Sequence, residues 1–310
     1  MNRVKTTVIG SYPVHIENIE LMKGYFNQTE ISWNKYIETA ANDMVNAGIE
    51  MISDGQTRDP FVNIFTRKLK GCRIRDRTEI IDKIEYNGPI TIEDQKFVRN
   101  IISKEKQLIG LITGPFTLTK SSVDLFYNNE KEIAFDFAIA LRKEAELLQN
   151  HVDLISIDEP FFSMEMPDYG KDLIEIMTKG LSCSTRLHIC GDVSKIISQV
   201  LEMPVEIISH EFKALPKLFD SFKEYNISKN ICLGSVRSDD SRVESVNEII
   251  EHIKKGFDVF GDKISQIAPD CGQRMLPRDA AFQKLKNLVK AGEEVYDWKK
   301  NSINKSSKNS

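Results

Sequence analysis

Val152-Asp153-Leu154-Ile155-Ser156-Ile157-Asp158-Glu159-Pro160 is a short, mostly apolar run that stops on a pair of carboxylates and a proline. Branched and leucine side chains with little polar alternation mark a buried strand, and the proline ends it. A long amphipathic stretch from about Lys131 to Gln149 precedes it, which is helical in period. A strand that follows a helix in this way is the repeating unit of a parallel sheet.

The same unit recurs in both directions. Toward the N-terminus the strand candidates are Leu108 to Thr113, stopped by Gly114-Pro115, Ile49 to Ser53, stopped by Asp54-Gly55, and Val4 to Ile9, closed by Gly10. A helix fits Trp33 to Ala47, with Ile37, Ala40, Ala41, Met44 and Val45 on one face. Toward the C-terminus the candidates are Arg186 to Ile189, Val205 to Ser209, Asn230 to Leu233 and Lys263 to Ile267, with helices over Val246 to Phe260 and Arg278 to Tyr296. Eight strand–helix units in 310 residues predict a closed (β/α)8 TIM barrel of the α/β class. The open doubly wound alternative lacks its Gly-rich phosphate turn after the first strand. One domain is expected over residues 1–298, with a charged, irregular excursion at about 66–105. The polar tail, 299–310, is expected to be disordered.

With 41% hydrophobic and 28% charged residues, the chain has the composition of a folded globular protein. A net charge of −4 gives no basic balance that would suggest nucleic acid or an anionic membrane surface as partner. No apolar run approaches a membrane span, and Met1 to Pro13 does not read as a signal peptide, so a cytoplasmic protein is expected. Its five cysteines, an odd number, are expected as free thiols or metal ligands. Cys232 reads as core, and Cys72 and Cys183 as structural or exposed.

In such barrels chemistry collects where strands end. His188 and Cys190 lie two apart on extended chain, hence on one face. Imidazole and thiolate are good zinc ligands. Cys271, after the eighth strand, can reach the same point only in a closed barrel, and Glu211, after the sixth, can add an oxygen. Cysteine is also a common core residue, so His-x-Cys by itself is weak; the two further donors at other strand ends strengthen it.

Several segments together resemble the catalytic barrel of cobalamin-independent methionine synthase, over about Thr6 to Tyr296. They are Thr7-Val8-Ile9-Gly10-Ser11-Tyr12-Pro13, Ser53-Asp54-Gly55-Gln56 with Arg58-Asp59, Thr113-Gly114-Pro115-Phe116-Thr117, Ile157-Asp158-Glu159-Pro160, His188-Ile189-Cys190-Gly191-Asp192 and Pro269-Asp270-Cys271-Gly272. The resemblance implies zinc, Zn(2+), on His188, Cys190, Glu211 and Cys271. It implies a homocysteine site at Ile9 and Ser11, with Asp158 on the ammonium group and as the catalytic carboxylate. Gln56 stands where folate-using members carry a glutamate that binds the amino acid. On charge alone, either Asp158 or Glu159 could neutralise the ammonium.

Departures from the pattern bear on the methyl donor. The second, N-terminal barrel of the family's longer members is not found, and Leu118-Thr119-Lys120-Ser121-Ser122 lacks the indole that holds a pterin. The loop Gly234-Ser235-Val236-Arg237-Ser238-Asp239-Asp240 lacks the histidine that protonates the folate leaving group. The chain therefore looks more like single-barrel archaeal members, which take methyl from a methylated corrinoid protein. Methylcobalamin or a corrinoid carrier protein is the expected donor, with methyltetrahydrofolate as the alternative. Other readings are methyl transfer to a different thiol such as coenzyme M, a zinc hydrolase on the same fold, and a structural zinc in a barrel that only binds a partner.

Overall fold

Runs such as Leu154-Ile155 and Ile207-Ile208 are apolar on both strand faces, which demands cover from helices outside and packed side chains inside. The computed structural model has this arrangement, and it describes residues 3–20, 22, 32–58 and 61–306. Asp59 of the second motif lies outside the described residues.

In chain order the first half comprises β1 (Lys5–Thr6), α1 (Asn34–Asn46), β2 (Met51–Ile52), α2 (Phe61–Thr66), β3 (Lys70–Ile74), β4 (Thr78–Glu85), α3 (Ile92–Ile101) and β5 (Gln107–Thr113). Next come α4 (Pro115–Ser121), β6 (Ser122–Asp124), α5 (Glu130–Leu148), β7 (Leu154–Asp158), α6 (Gly170–Thr178) and β8 (Ser184–His188). The last third holds α7 (Ile197–Leu201), β9 (Ile207–His210), α8 (Lys217–Phe222), β10 (Asn230–Val236), α9 (Val246–Phe260), β11 (Ile264–Pro269) and α10 (Arg278–Ser306).

Eight parallel strands run in the order β1-β11-β10-β9-β8-β7-β5-β2. A parallel bridge from Thr7 to Met51 joins the two outer strands and closes the barrel. All eight fall where the sequence places them. The first two are shorter than expected, because pairing is confined to Lys5–Thr6 and Met51–Ile52 and the single bridge at Thr7. The outer helices bury the faces their periodicity marks: α5 buries Ile133, Phe137, Leu141, Ala145 and Leu148, spaced about one turn apart. Ser245 opens α9 with a reciprocal capping box to Glu248.

Two regions differ from expectation. The excursion at 66–105 is ordered: β3 and β4 pair antiparallel, β6 adds to β4 in parallel, and α3 is the barrel helix before β5. Its charges mask a buried set, since Thr78, Ile80 and Ile84 of β4 are buried. The polar tail is helical as far as Ser306, as a continuation of α10, and 307–310 lie outside the described residues. Ser and Asn are modest helix formers, and the segment extends a helix already nucleated upstream, which costs far less than starting one. Among the described residues no helix is long and apolar enough to cross a membrane.

Candidate active site

β8 ends at His188, and Cys190 lies just beyond it, with His188 Nε2 2.9 Å from Cys190 Sγ. Cys271 follows β11, and the donor atoms of His188, Cys190 and Cys271 all lie within 4.8 Å of one another. Barrel closure brings them together across about eighty residues of chain. Glu211, the fourth expected ligand, stands beside this group but outside it: its Oε2 accepts the Gly191 N–H at 2.9 Å.

Burial and mutual contact shift the titration of His188 and Cys190. Burial first, and then the positive Arg186, push the His188 imidazole well below its ordinary pKa, so it is neutral at pH 7. The Cys190 thiol is pushed well up, first by its hydrogen bond with Cys271 and then by burial. Two half-buried thiols and a buried, neutral imidazole are a soft donor set for a thiophilic dication such as zinc.

The end of β9 clamps this segment residue by residue. Ser209 Oγ lies 3.0 Å from His188 Nδ1, His210 Nδ1–H donates to the Ile189 carbonyl at 3.2 Å, and Glu211 takes the Gly191 N–H. Cys271 is pinned by Ser238, whose hydroxyl donates to the Cys271 carbonyl at 2.7 Å and accepts the Cys271 N–H at 3.0 Å. Asp270 fastens the neighbouring loop by accepting the N–H groups of Lys213 and Ala214 at 2.9 and 2.7 Å.

Below the trio the barrel is polar. Arg186, with no exposed surface, donates to Ser156 Oγ at 3.1 Å, Gln266 Oε1 at 3.1 Å and the Val8 carbonyl at 2.9 Å. Ser156 Oγ in turn lies 3.2 Å from Asp158 Oδ1. Burial raises the Asp158 carboxyl to about 7, with Arg186 opposing the shift. The two carboxylates that close β7 thus separate in role. Glu159 is spent on structure, accepting the N–H groups of Phe116 and Thr117 and the Thr117 hydroxyl at 2.9, 2.8 and 2.6 Å. It caps the start of α4 where that helix's donors have no internal partner. Gly114 makes room for it, since a Cβ there would meet Glu159 Cδ at 2.2 Å. Asp158 has no such occupation, which leaves it as the carboxylate able to meet a cationic ligand group.

The remaining expected residues gather at the β1 and β2 ends. Ile9 is buried and Ser11 half-buried; the Ser11 carbonyl accepts the Gln273 N–H at 2.7 Å, tying this loop to the one that carries Cys271. Gly10 sits at φ +52°, and a Cβ there would be 3.4 Å from Gly272 Cα and 3.8 Å from Gln56 Oε1. Gln56 is buried at φ 45°, with Arg274 donating to its carbonyl at 3.1 Å. Ser209, His210, Ser238 and Gln273 were not singled out from sequence. Ser209-His210 directly precede Glu211, and Gln273 lies two residues past Cys271, so adjacency to a ligand was the available signal.

Residues 4–294 match the family model described as cobalamin-independent synthase, catalytic domain. The chain belongs to this family. Two archaeal methionine synthases are similar along almost their whole length. That of Methanocaldococcus jannaschii is 35% identical over 309 residues, 92% of this chain and 97% of the relative. That of Methanothermobacter marburgensis is 36% identical over 306 residues, 93% and 99% of the two chains. In fold, the chain resembles a B12-independent methionine synthase from Shewanella sp. W3-18-1, solved in complex with selenomethionine. The TM-score is 0.80 at 24% identity, covering 95% of this chain and 98% of that one. Membership of the cobalamin-independent synthase family makes the chain an enzyme of the methyltransferase class, on the TIM barrel its own strand order shows.

Proposed function

We propose that the protein methylates the sulfur of homocysteine to form methionine, with zinc held by His188, Cys190 and Cys271, Glu211 as fourth ligand, and a methylated corrinoid as donor. The observation that carries this reading is the convergence of three soft donors within 4.8 Å beside the buried Asp158. The family and its archaeal methionine synthases support homocysteine as acceptor. Held by these residues, zinc would supply the positive charge that keeps a thiol deprotonated near neutral pH, where a free thiol is mostly protonated.

The chain's own groups do the rest. Ser209 and His210 hold the His188–Cys190 segment in one geometry, and a His188 that donates Nδ1–H to Ser209 keeps its Nε2 lone pair free. Asp158 receives the acceptor's ammonium, fixing its sulfur at the reacting end of the pocket. The new bond joins sulfur to methyl carbon as the cobalt–carbon bond breaks. Both bonding electrons leave with the corrinoid, so its departure needs no proton. Side chains of the loop after β10 support this donor. Ser238 is spent on the Cys271 backbone, Arg237 and Asp239 pair with each other at 2.7 Å, and the loop carries no histidine to protonate a folate leaving group. A corrinoid that arrives methylated and leaves demethylated is a substrate, which accords with a family described as cobalamin-independent.

The test is a methyl-transfer assay with zinc-loaded protein, homocysteine or coenzyme M as acceptor, and methylcobalamin, a methylated corrinoid protein or methyltetrahydrofolate as donor. Homocysteine methylation from a corrinoid is expected, and Cys190→Ser and Cys271→Ser should each lose bound zinc. Turnover from methyltetrahydrofolate alone would overturn the donor, preference for coenzyme M the acceptor, and full zinc retention in both variants the metal site.

A further inference from the structure

Among the described residues Arg186 is the bulkiest fully buried side chain, and its hydrogen bonds all go to neutral groups. Besides Ser156, Gln266 and the Val8 carbonyl, it reaches Thr7 Oγ1 at 3.4 Å and Cys232 Sγ at 3.7 Å. A buried cation without a direct counter-ion is costly, so its presence in the barrel calls for a reason. The matching anion is Asp158, which takes just the Ser156 hydroxyl, at 3.2 Å. One serine therefore stands between two buried charges. Arginine can only donate, so Ser156 Oγ accepts the Arg186 Nε–H and its own single proton is left for Asp158 Oδ1. The strand register builds this arrangement: Ser156 pairs with Arg186 across β7 and β8, and Asp158 pairs with His188 two residues on. Alternation puts all four on one face, with Ser156 and Arg186 in the layer beneath Asp158 and His188.

We propose that Arg186 and Ser156 are positioning residues for the acceptor's amino group: the buried guanidinium, acting through the Ser156 hydroxyl, holds Asp158 by Oδ1 and leaves Oδ2 for the ammonium. This rests on homocysteine being the acceptor. The interposed hydroxyl is what makes the arrangement useful. A direct arginine–carboxylate pair is commonly bidentate and would occupy both carboxylate oxygens. With Ser156 between them, Arg186 offsets the buried charge of Asp158 while one oxygen stays unspent. Arg186 cannot swing up to pair with Asp158 directly, because Val8 just past β1, Cys232 on β10 and Gln266 on β11 fasten its Nη groups from the other strands of the barrel.

The experiment is isothermal titration calorimetry on the zinc-loaded full chain with three thiols: homocysteine, 3-aminopropane-1-thiol, which keeps the amino group, and 4-mercaptobutanoate, which lacks it. Ser156→Ala and Arg186→Met should each weaken the two amino thiols by about ten- to a hundredfold and leave 4-mercaptobutanoate within about twofold, as the loss of one hydrogen bond to a charged group implies. Because the two residues act along one path, the double variant should be within about threefold of the weaker single one. Ser156→Thr, which keeps the hydroxyl, should bind all three thiols nearly as the wild type does. If Arg186→Met does not fold, the two Ser156 variants decide alone. Equal weakening of all three thiols, or unchanged homocysteine binding in the single variants, would overturn the positioning role while wild-type binding upheld the acceptor. A wild-type protein that binds 4-mercaptobutanoate as tightly as homocysteine would instead overturn homocysteine as acceptor, and the proposal with it.

Discussion

At the scale of single residues, the site depends on a layer of groups that touch the donor atoms and hold them still. Ser209 is the clearest case. Its hydroxyl is 3.0 Å from His188 Nδ1, and both are buried. Removing it leaves the imidazole free to rotate and its tautomer unset. Ser209→Ala should lower zinc affinity by about ten- to a hundredfold. Competition against a chromogenic chelator measures this, and an unchanged zinc affinity would deny the hydroxyl that role. The trio itself was readable from His188-x-Cys190 and from Cys271 at a later strand end, because extended chain puts alternate residues on one face. Ser209 and His210 were not, because a serine and a histidine acquire their meaning from a partner on the next strand. The Asp158–Glu159 pair was equally ambiguous in sequence. Only the hydrogen bonds from the start of α4 show that Glu159 is its cap, whereas Asp158 takes just the Ser156 hydroxyl.

At the scale of elements, the loops above the barrel are held by buried charges as well as by apolar faces. The stretch from β10 to α9 is clasped to α10 by Lys284 and Glu244, with side chains 0% and 1% exposed and 2.7 Å apart. Lys284 also donates to the Arg242 carbonyl, and Glu244 accepts the Arg237 N–H at 2.8 Å. The clasp sets the loop from which Ser238 grips Cys271. Lys284→Met would leave the Glu244 carboxylate buried and unpaired, so a loss of about 3–5 kcal/mol is expected in denaturant unfolding. The double variant Lys284→Met/Glu244→Gln should recover much of it. A single variant as stable as the wild type would show the clasp to be energetically idle. In sequence, Lys284 looks like any solvated helix position, since its burial depends on how α10 lies across the loop.

For the whole molecule, buried groups set opposing pH dependences: the carboxyls of Asp158 and Asp270, raised by burial, favour the folded state as pH falls, and the buried histidines oppose it. His252 donates to the Gly234 carbonyl at 2.8 Å from α9, and burial lowers its pKa to about 4 from an ordinary 6.5. Between those values the unfolded chain takes up a proton that the folded chain refuses. Its contribution is therefore complete above pH 6.5 and is lost as pH falls toward 4. Buried His210, also lowered to about 4, adds in the same direction. Between pH 7 and pH 5 the melting temperature of His252→Gln, which can still donate to Gly234, should change more favourably than that of the wild type, because the variant lacks the histidine's proton penalty. Equal slopes for the variant and the wild type would show that His252 takes no part.

The sequence by itself determined the barrel and its eight strands, and it named His188, Cys190 and Cys271, whose donor atoms the fold brings within 4.8 Å of one another. Strand burial, helical period and strand-end punctuation are local properties, and a parallel sheet of eight such units has few ways to close. Tertiary structure decided what local properties cannot express. It closed the barrel through Thr7 and Met51, turned the charged excursion at 66–105 into a hairpin and a barrel helix, and put Glu211 on the Gly191 N–H beside the trio. It also left the amides of Gln56 and Gln273 buried without acceptors near Ser11. Each of these follows from which groups meet across long stretches of chain. Whether a polar side chain becomes a cap, a clamp or a ligand contact is set by the partner that packing brings to it, and that partner is not its neighbour in sequence.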